Sequence, residues 1–254
     1  MRILLTNDDG VHARGLEVLE RIARTLSDDI TIVAPLEEQS GKGRSLSITE
    51  PVRLRRFGER RFAVTGTPTD AVMVALAEIM KDSPPDLILS GVNRGANLGE
   101  DVSYSGTVSA AMGGALAGIR SVALSQRYAS PAPGERVSFE AAEQWGERVL
   151  RPLLDAQWAP RTLMNVNFPP VPAAEVKGIR AVNQGLRDYG RMKLEKRTDP
   201  RGFDYYWFGL GRIDHTPAAN TDLEAIEMGY ITVTPLHLDM THRESLDMVS
   251  DIFR

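Results

Sequence analysis

Short aliphatic runs alternate along this chain with stretches whose apolar residues recur at helical spacing. Ile3 to Leu5 is followed by Leu16, Leu19, Ile22, Ala23 and Leu26, and then by Ile30-Thr-Ile-Val-Ala34, stopped at Pro35. Runs this short and aliphatic suit strands of a parallel sheet covered on both faces, so the opening predicts one βαβ unit. Val52 to Phe57 and Arg61 to Val64 predict a hairpin about Gly58. In Thr67-Pro-Thr-Asp70, Thr67 suits an N-cap, Pro68 the first helical position and Asp70 the far end of a capping box, with the helix running over Val72 to Met80.

Pro84-Pro85 end that helix, and Asp86 to Ser90 predicts a further parallel strand opening into a long Gly- and Asn-rich loop, Gly91 to Gly99. The Ala- and Gly-dominated run Val108 to Gly118 predicts a helix packed close against a sheet, and Ser121 to Ser125 a returning strand. A turn-rich connector, Ser130-Pro-Ala-Pro-Gly134, precedes a helix from about Phe139 to Leu154 and a strand over Leu163 to Val166.

The last third changes character. Ile179 to Val182, a charged stretch to about Pro200, and the aromatic strand Phe203-Asp-Tyr-Tyr-Trp-Phe208 lead to Tyr230–Thr234 and a helix over Glu244 to Ile252. Aromatics on both faces of one strand need cover on both faces. Another subunit and the chain's own domain both remain open as the cover. The predicted fold is α/β, a mostly parallel sheet with helices on both faces, as one domain over residues 1–254. Residues 183–254 form its C-terminal extension, with a β-hairpin arm for oligomerisation.

Composition narrows the chemistry. At 254 residues and 42% hydrophobic, the chain can bury a substantial core. Its formal net charge of -4 builds in no attraction to nucleic acid or to an anionic membrane. Arg53-Leu-Arg-Arg56 with Arg60-Arg61 is the local exception and reads as the solvated face of the hairpin. There is no cysteine, which excludes disulfides and thiolate ligands, so any metal takes oxygen or histidine. With no membrane-length apolar stretch and no signal-peptide pattern, a cytoplasmic location is expected.

The candidate chemistry begins where the first strand ends, at Asn7-Asp-Asp-Gly10. Two adjacent carboxylates repel when both are ionised, and a hard divalent cation would stabilise them. The same four residues are also plain turn chemistry, and on this segment alone both readings stand. Two further loops leave the same carboxyl-terminal rim: one carries Ser40-Gly41, the other Asn93 to Asn97. Ser105-Gly-Thr107 opens the Ala/Gly helix with unpaired N–H groups and two hydroxyls, a ready phosphate cradle whose plain alternative is an ordinary N-cap.

A cation beside an anion cradle points to phosphate-ester hydrolysis. The four histidines, His12, His215, His237 and His242, show no metal spacing, and His237 and His242 are expected in a loop. No Gly-x-Ser-x-Gly elbow, P-loop or Gly-x-Gly-x-x-Gly fingerprint is present. No residue stands out as a general base.

Met1-Arg-Ile-Leu-Leu-Thr-Asn-Asp-Asp-Gly-Val11, Gly66-Thr-Pro-Thr-Asp70, Ser90-Gly-Val-Asn-Arg-Gly-Ala-Asn97 and Tyr104-Ser-Gly-Thr107, in this order, resemble the survival protein SurE family. The likeness extends to Asp199-Pro-Arg-Gly202 and Thr234-Pro-Leu-His237. It implies a Rossmann-like, metal-dependent 5′-nucleotidase acting on nucleoside monophosphates, with broader phosphatase activity in some members, assembled through its C-terminal arm as a homodimer or homotetramer. Carried over by position, the metal ligands (magnesium or manganese) fall on Asp8, Asp9, the Ser40 hydroxyl and Asn93. Asn97, Ser105, Gly106 and Thr107 fall on the phosphate side. Roles for Lys42 and Arg44 stay open.

Two rivals share the acidic strand end. A signalling receiver domain needs a phospho-accepting Asp at a later strand end, whereas Asp86 begins its strand and Ser90 ends it. A haloacid-dehalogenase-type phosphatase needs two aspartates separated by one residue, whereas Asp8 and Asp9 are adjacent.

Overall fold

The computed structural model describes residues 1–128, 137–187, 192–210 and 216–254. The predicted connector at 130–134, His215 and part of the arm's approach lie outside the described residues. The first half builds as its pattern dictates: β1 (Ile3–Thr6), α1 (Arg14–Arg24), β2 (Ile30–Pro35), the hairpin β3 (Leu54–Arg56) and β4 (Arg61–Val64), then α2 (Pro68–Val74). β5 (Leu87–Arg94), α3 (Gly106–Leu116), β6 (Arg120–Gln126), α4 (Glu140–Asp155) and β7 (Thr162–Phe168) follow. Then come β8 (Ile179–Ala181), the hairpin β9 (Met192–Thr198) and β10 (Asp204–Leu210), α5 (Asp222–Glu227), β11 (Ile231–His237) and α6 (Arg243–Ile252).

Nine strands form one sheet in the order β3-β4-β2-β1-β5-β6-β7-β11-β8, and β9 with β10 make a separate two-stranded ribbon. From β4 to β7 all neighbours are parallel; β3 and β11 pair antiparallel with β4 and β7. After β1 the chain builds outward through β2 and β4, then returns to place β5 on the other side of β1 and continues through β6 and β7. The crevice at the carboxyl ends of β1 and β5 is therefore the topological switch point, where open α/β sheets bind ligands.

Alternation along β1 explains the two layers. Ile3 and Leu5 pack with Leu16, Leu19 and Ile22 of α1 and Leu150 of α4, whereas Leu4 joins Ala71 and Val72 of α2 and Ala110 of α3. Each fully buried Leu or Ile here contributes about 1.5–3 kcal/mol relative to exposure. α3 has no polar stripe because the sheet lies on one side and α2 on another, leaving Gly113, Gly114, Ala110, Ala111 and Ala115 buried.

The structure departs from the pattern in four places. The helix starts at Pro68 as its cap predicts, but over the expected Val72–Met80 stretch it widens into a π turn at Ala75–Ile79, whose last bond, Met80 N–H to Ala75 C=O at 2.8 Å, returns Met80 to the core. Residues 91–94, expected in a loop, continue β5 through a bulge between Ser90 and Asn93. α5 carries no apolar repeat long enough to announce itself. His237 ends β11 instead of lying in a loop, whereas His242 closes the connection after it and caps α6 by accepting from the Ser245 N–H.

Adjacent glycines of α3 give a test of this close packing. A Cβ at Gly114 would sit 2.3 Å from Ser121 Oγ and 2.5 Å from Ile88 Cδ1, whereas one at Gly113 meets Val72 Cγ1 at an ordinary 3.5 Å. Gly114→Ala is expected to lose about 1–3 kcal/mol through overpacking. Gly113→Ala is expected to gain up to about 1 kcal/mol from helix propensity. Denaturant unfolding of both variants checks the opposite signs.

Candidate metal centre and anion cradle

Each loop at the switch point is fixed by main-chain bonds before any side chain is considered. In Asn7–Gly10 the turn is made by its outer residues: Asn7 Nδ2 donates to Gly10 C=O at 2.9 Å, and Gly10 holds φ at +102°, where a Cβ would lie 3.4 Å from the Glu37 carbonyl carbon. That leaves Asp8 and Asp9 for other partners. Turn and site are thus built from different residues of one tetrapeptide.

Asp8 is buried and reaches the first turn of α3. Thr107 Oγ1 donates to its Oδ1 at 2.5 Å, and a Cβ at Gly106 would lie 2.8 Å from Asp8 Cβ, so only glycine lets the helix come this near. Burial pushes the Asp8 carboxyl up to about 6; the bond from Thr107 opposes this, and the neighbouring Asp9 adds to it. Asp9 is also raised, chiefly by burial, against the Arg94 N–H that donates to its Oδ2 at 3.0 Å. The Arg94 guanidinium meanwhile faces Glu38, at 3.6 Å.

The Ser40 loop is drawn in by Gln39, whose N–H donates to Asp8 C=O at 2.8 Å, and by Gly43, whose N–H donates to Tyr104 C=O at 3.2 Å. Ser40 itself is exposed and gives its hydroxyl to Glu38 Oε1 at 2.9 Å. Asn93 stands at the end of β5 next to Arg94, its Nδ2 donating to Gly95 C=O at 2.9 Å. The bulge that places it there requires Gly91, whose Cβ would fall 2.2 Å from Leu124 C=O.

Among the described residues no three His, Asp or Glu side chains come together as a metal cage. The oxygen groups that these three loops carry are the Asp8 and Asp9 carboxylates, the Ser40 hydroxyl and the Asn93 amide, all hard oxygen ligands. One buried and one half-buried carboxylate, both held above their usual range and given only neutral hydrogen-bond donors, are the arrangement a divalent cation would relieve. The residues fit such an ion.

On the anion side, Ser105 caps α3 by accepting the Val108 N–H at 3.1 Å, which leaves its own proton for another acceptor. Thr107 spends its proton on Asp8. Asn97 is buried, its Nδ2 donating to Ser125 Oγ at 2.8 Å. Its main chain is gripped by Asn167, which accepts from the Asn97 N–H at 2.8 Å, and by Asn165, which donates to its C=O at 2.8 Å. Pattern reading missed Asn165 and Asn167. Their signal was two amides at strand period on an otherwise apolar strand.

Thr67–Asp70 forms the capping box as expected, and Asp70 also accepts from Ser47. Its contribution to the rim is Pro68, 3.1 Å from the position of a Gly106 Cβ. β3 is exposed, so the arginine cluster is largely a solvated face, with Arg60 paired to Asp29 and Arg61 to Glu20. Asp86 pairs with Arg2 at 3.0 Å at the opposite pole, which removes it from any phospho-acceptor role at this rim.

A family model described as survival protein SurE matches residues 3–191. A protein named 5′-nucleotidase SurE from Rhizorhabdus wittichii is 68% identical over 254 residues, covering 100% of both chains. One of the same name from Erythrobacter litoralis is 60% identical over 253 residues, again covering 100% of both. The crystal structure titled Sure protein from Aquifex aeolicus superposes with a TM-score of 0.85 at 36% identity, covering 100% of both chains.

Asp8→Asn and Asp9→Asn separate a metal centre from a turn. In chelator, Asp8→Asn is expected to keep or raise the parent's Tm, because a neutral amide replaces a carboxylate whose charge is costly to bury. Added manganese is expected to raise the parent's Tm and to lose that effect in both variants. Thermal denaturation with and without the ion measures this; an undiminished shift in either variant would leave only the turn.

Proposed function

This chain belongs to the survival protein SurE family, and we propose that it is a metal-dependent 5′-nucleotidase, hydrolysing nucleoside 5′-monophosphates to nucleoside and phosphate. The activity extends on this reading to other phosphomonoesters. The observation that carries it is the contact between Asp8 and the start of α3, which sets a cation-binding carboxylate against the N–H groups that would receive a phosphate.

Asp8, Asp9, Ser40 and Asn93 would hold magnesium or manganese. When bound, the ion supplies Lewis-acid polarisation of the phosphoryl group. The chain's own residues do the positioning. Thr107 holds Asp8, Arg94 N–H holds Asp9, and Ser105 caps the helix with its oxygen, which leaves its hydroxyl proton for a phosphate oxygen. The missing Cβ at Gly106 lets Asp8 pack against the first turn of α3, and the N–H groups of that turn would face the phosphate with Asn97 beside them.

A homo-oligomer, dimeric or tetrameric, accounts for the surface. Phe203, Tyr206, Trp207 and Phe208 of the arm are exposed on the single chain, and Leu246, Met248, Ile252 and Phe253 of the last helix region are exposed as well. The arm's aromatics are thus not covered by their own domain, and a second copy would cover them. A cysteine-free chain suits the cytoplasm, where we place the enzyme; no described helix is long and apolar enough to cross a membrane.

Two measurements test these readings. Phosphate release from adenosine 5′-monophosphate is expected to stop in excess chelator and to return with magnesium or manganese, while the 3′-monophosphate is a poorer substrate. Full turnover in chelator would overturn the mechanism. Light scattering is expected to show the intact protein as an oligomer and a deletion of residues 192–210 as a smaller particle that still binds manganese; a monomeric intact protein would overturn the assembly.

A further inference from the structure

The segment between Asn97 and Ser105 holds one short 3-10 turn over Gly99–Ser103, with Asp101 N–H donating to Leu98 C=O and Tyr104 N–H to Asp101 C=O, and its ends border the phosphate side of the site. Where it enters that turn, at Leu98 and Gly99, its main-chain groups bond to residues far along the chain. Gly99 N–H donates to Asp222 Oδ2 at 2.8 Å, and Gly99 C=O accepts from Gln184 Nε2 at 2.9 Å. Leu98 C=O accepts from Arg187 Nη1 at 3.0 Å, and the same nitrogen lies 2.8 Å from Asp101 Oδ2. Arg187 N–H closes the set on Glu100 Oε2 at 3.0 Å.

Asp222 is the centre of this arrangement. It is fully buried, and its second oxygen, Oδ1, accepts the Gly185 N–H at 2.8 Å. One carboxylate thus ties the loop to the segment bearing Gln184 and Arg187. Both tied positions need glycine: Gly99 holds φ at +56° with its Cβ position 3.1 Å from Gly185 C=O, and a Cβ at Gly185 would lie 2.9 Å from Asp222 Oδ1. Leu98 packs on Leu223 and Ile226 of the same short helix, so apolar contact and hydrogen bonding fix one placement.

We infer that Asp222 is a positioning residue for phosphate binding, acting through Gly99 on the loop from Asn97 to Ser105, with Arg187 and Gln184 as its partners. It lies beyond residues 3–191 that the family model matches, so the site is completed from the C-terminal extension. A carboxylate accepting two N–H groups holds the loop with charge-assisted bonds, which are stronger than those a neutral amide makes. Asp8 and Asp9 receive no bond from this set. The inference rests on the phosphate-side reading of Asn97 and Ser105, and it separates phosphate binding from metal binding.

The test uses the full-length protein and the variants Asp222→Asn, Arg187→Gln and Gln184→Ala. Manganese affinity, inorganic phosphate affinity in the presence of manganese, and kcat and KM for adenosine 5′-monophosphate are measured on each. Asp222→Asn keeps the shape but turns an NH2 toward one of its two donors. The expected result is manganese affinity within about twofold of the parent, with phosphate affinity weakened and KM raised about tenfold, the worth of one such bond.

Arg187→Gln is expected to move the same two quantities in the same direction, and it decides the matter if Asp222→Asn does not fold. Folded variants that bind phosphate with parental affinity, or that lose manganese in parallel with phosphate, overturn the inference. A lowered Tm with parental KM assigns Asp222 to stability alone and also overturns it. A parent that binds manganese and phosphate without hydrolysing the nucleotide refutes the nucleotidase reading, and the phosphate comparison then decides the role of Asp222 by itself.

Discussion

Everything at the carboxyl rim depends on how closely α3 approaches β1. Asp8 leaves the end of that strand buried, with its charge opposed by desolvation, and the first turn of α3 meets it with a hydroxyl and an unhindered main chain. The approach is possible because α3, Val108 apart, is built of Gly, Ala, Ser and Thr along its buried faces. A longer side chain at 106 would drive the helix from Asp8, and one at 114 would drive it from β5 and β6. Packing and electrostatics are the same constraint here: small residues bring the positive end of a helix to a buried carboxylate.

The sheet's topology gives that contact its setting. Because the strand order reverses at β1, the loops after β1 and β5 diverge to opposite sides and leave a crevice between them. Main-chain bonds then lace the crevice together, from Gln39 to Asp8, from Arg94 to Asp9 and from Gly43 to Tyr104. These bonds make one site from segments that are distant in sequence. On the far side, the loop after Asn97 is anchored by β7 and by the segment around Asp222 as well as by its own short turn.

Much of this was legible along the chain because the responsible forces are local. Aliphatic runs and helical spacing predict β1, α1, β2, α3 and α4, since burial on one or two faces writes a period into the sequence. The Thr67 capping box is read directly because its partners are three residues apart. The acidic pair and the Ser105-Gly-Thr107 opening were visible as candidates for the same reason. The cover of the aromatic strand was left open between two alternatives, and on the single chain Tyr206, Trp207 and Phe208 stand exposed.

The sequence by itself determined the α/β class, the order of its main elements, the glycines that its turns require and the residue types available for a cation and a phosphate. Only the tertiary structure decided that Asn7 and Gly10 make the turn while Asp8 and Asp9 face other partners, because that choice is set by α3 and Arg94 arriving from elsewhere. It likewise extended β5 to Arg94 through a bulge, bound Ser40 to Glu38, and brought Asp222 under Gly99 across 123 positions. Such contacts leave no period in a sequence. A hydrogen bond between distant residues depends on where the whole chain has packed, and no local pattern encodes that.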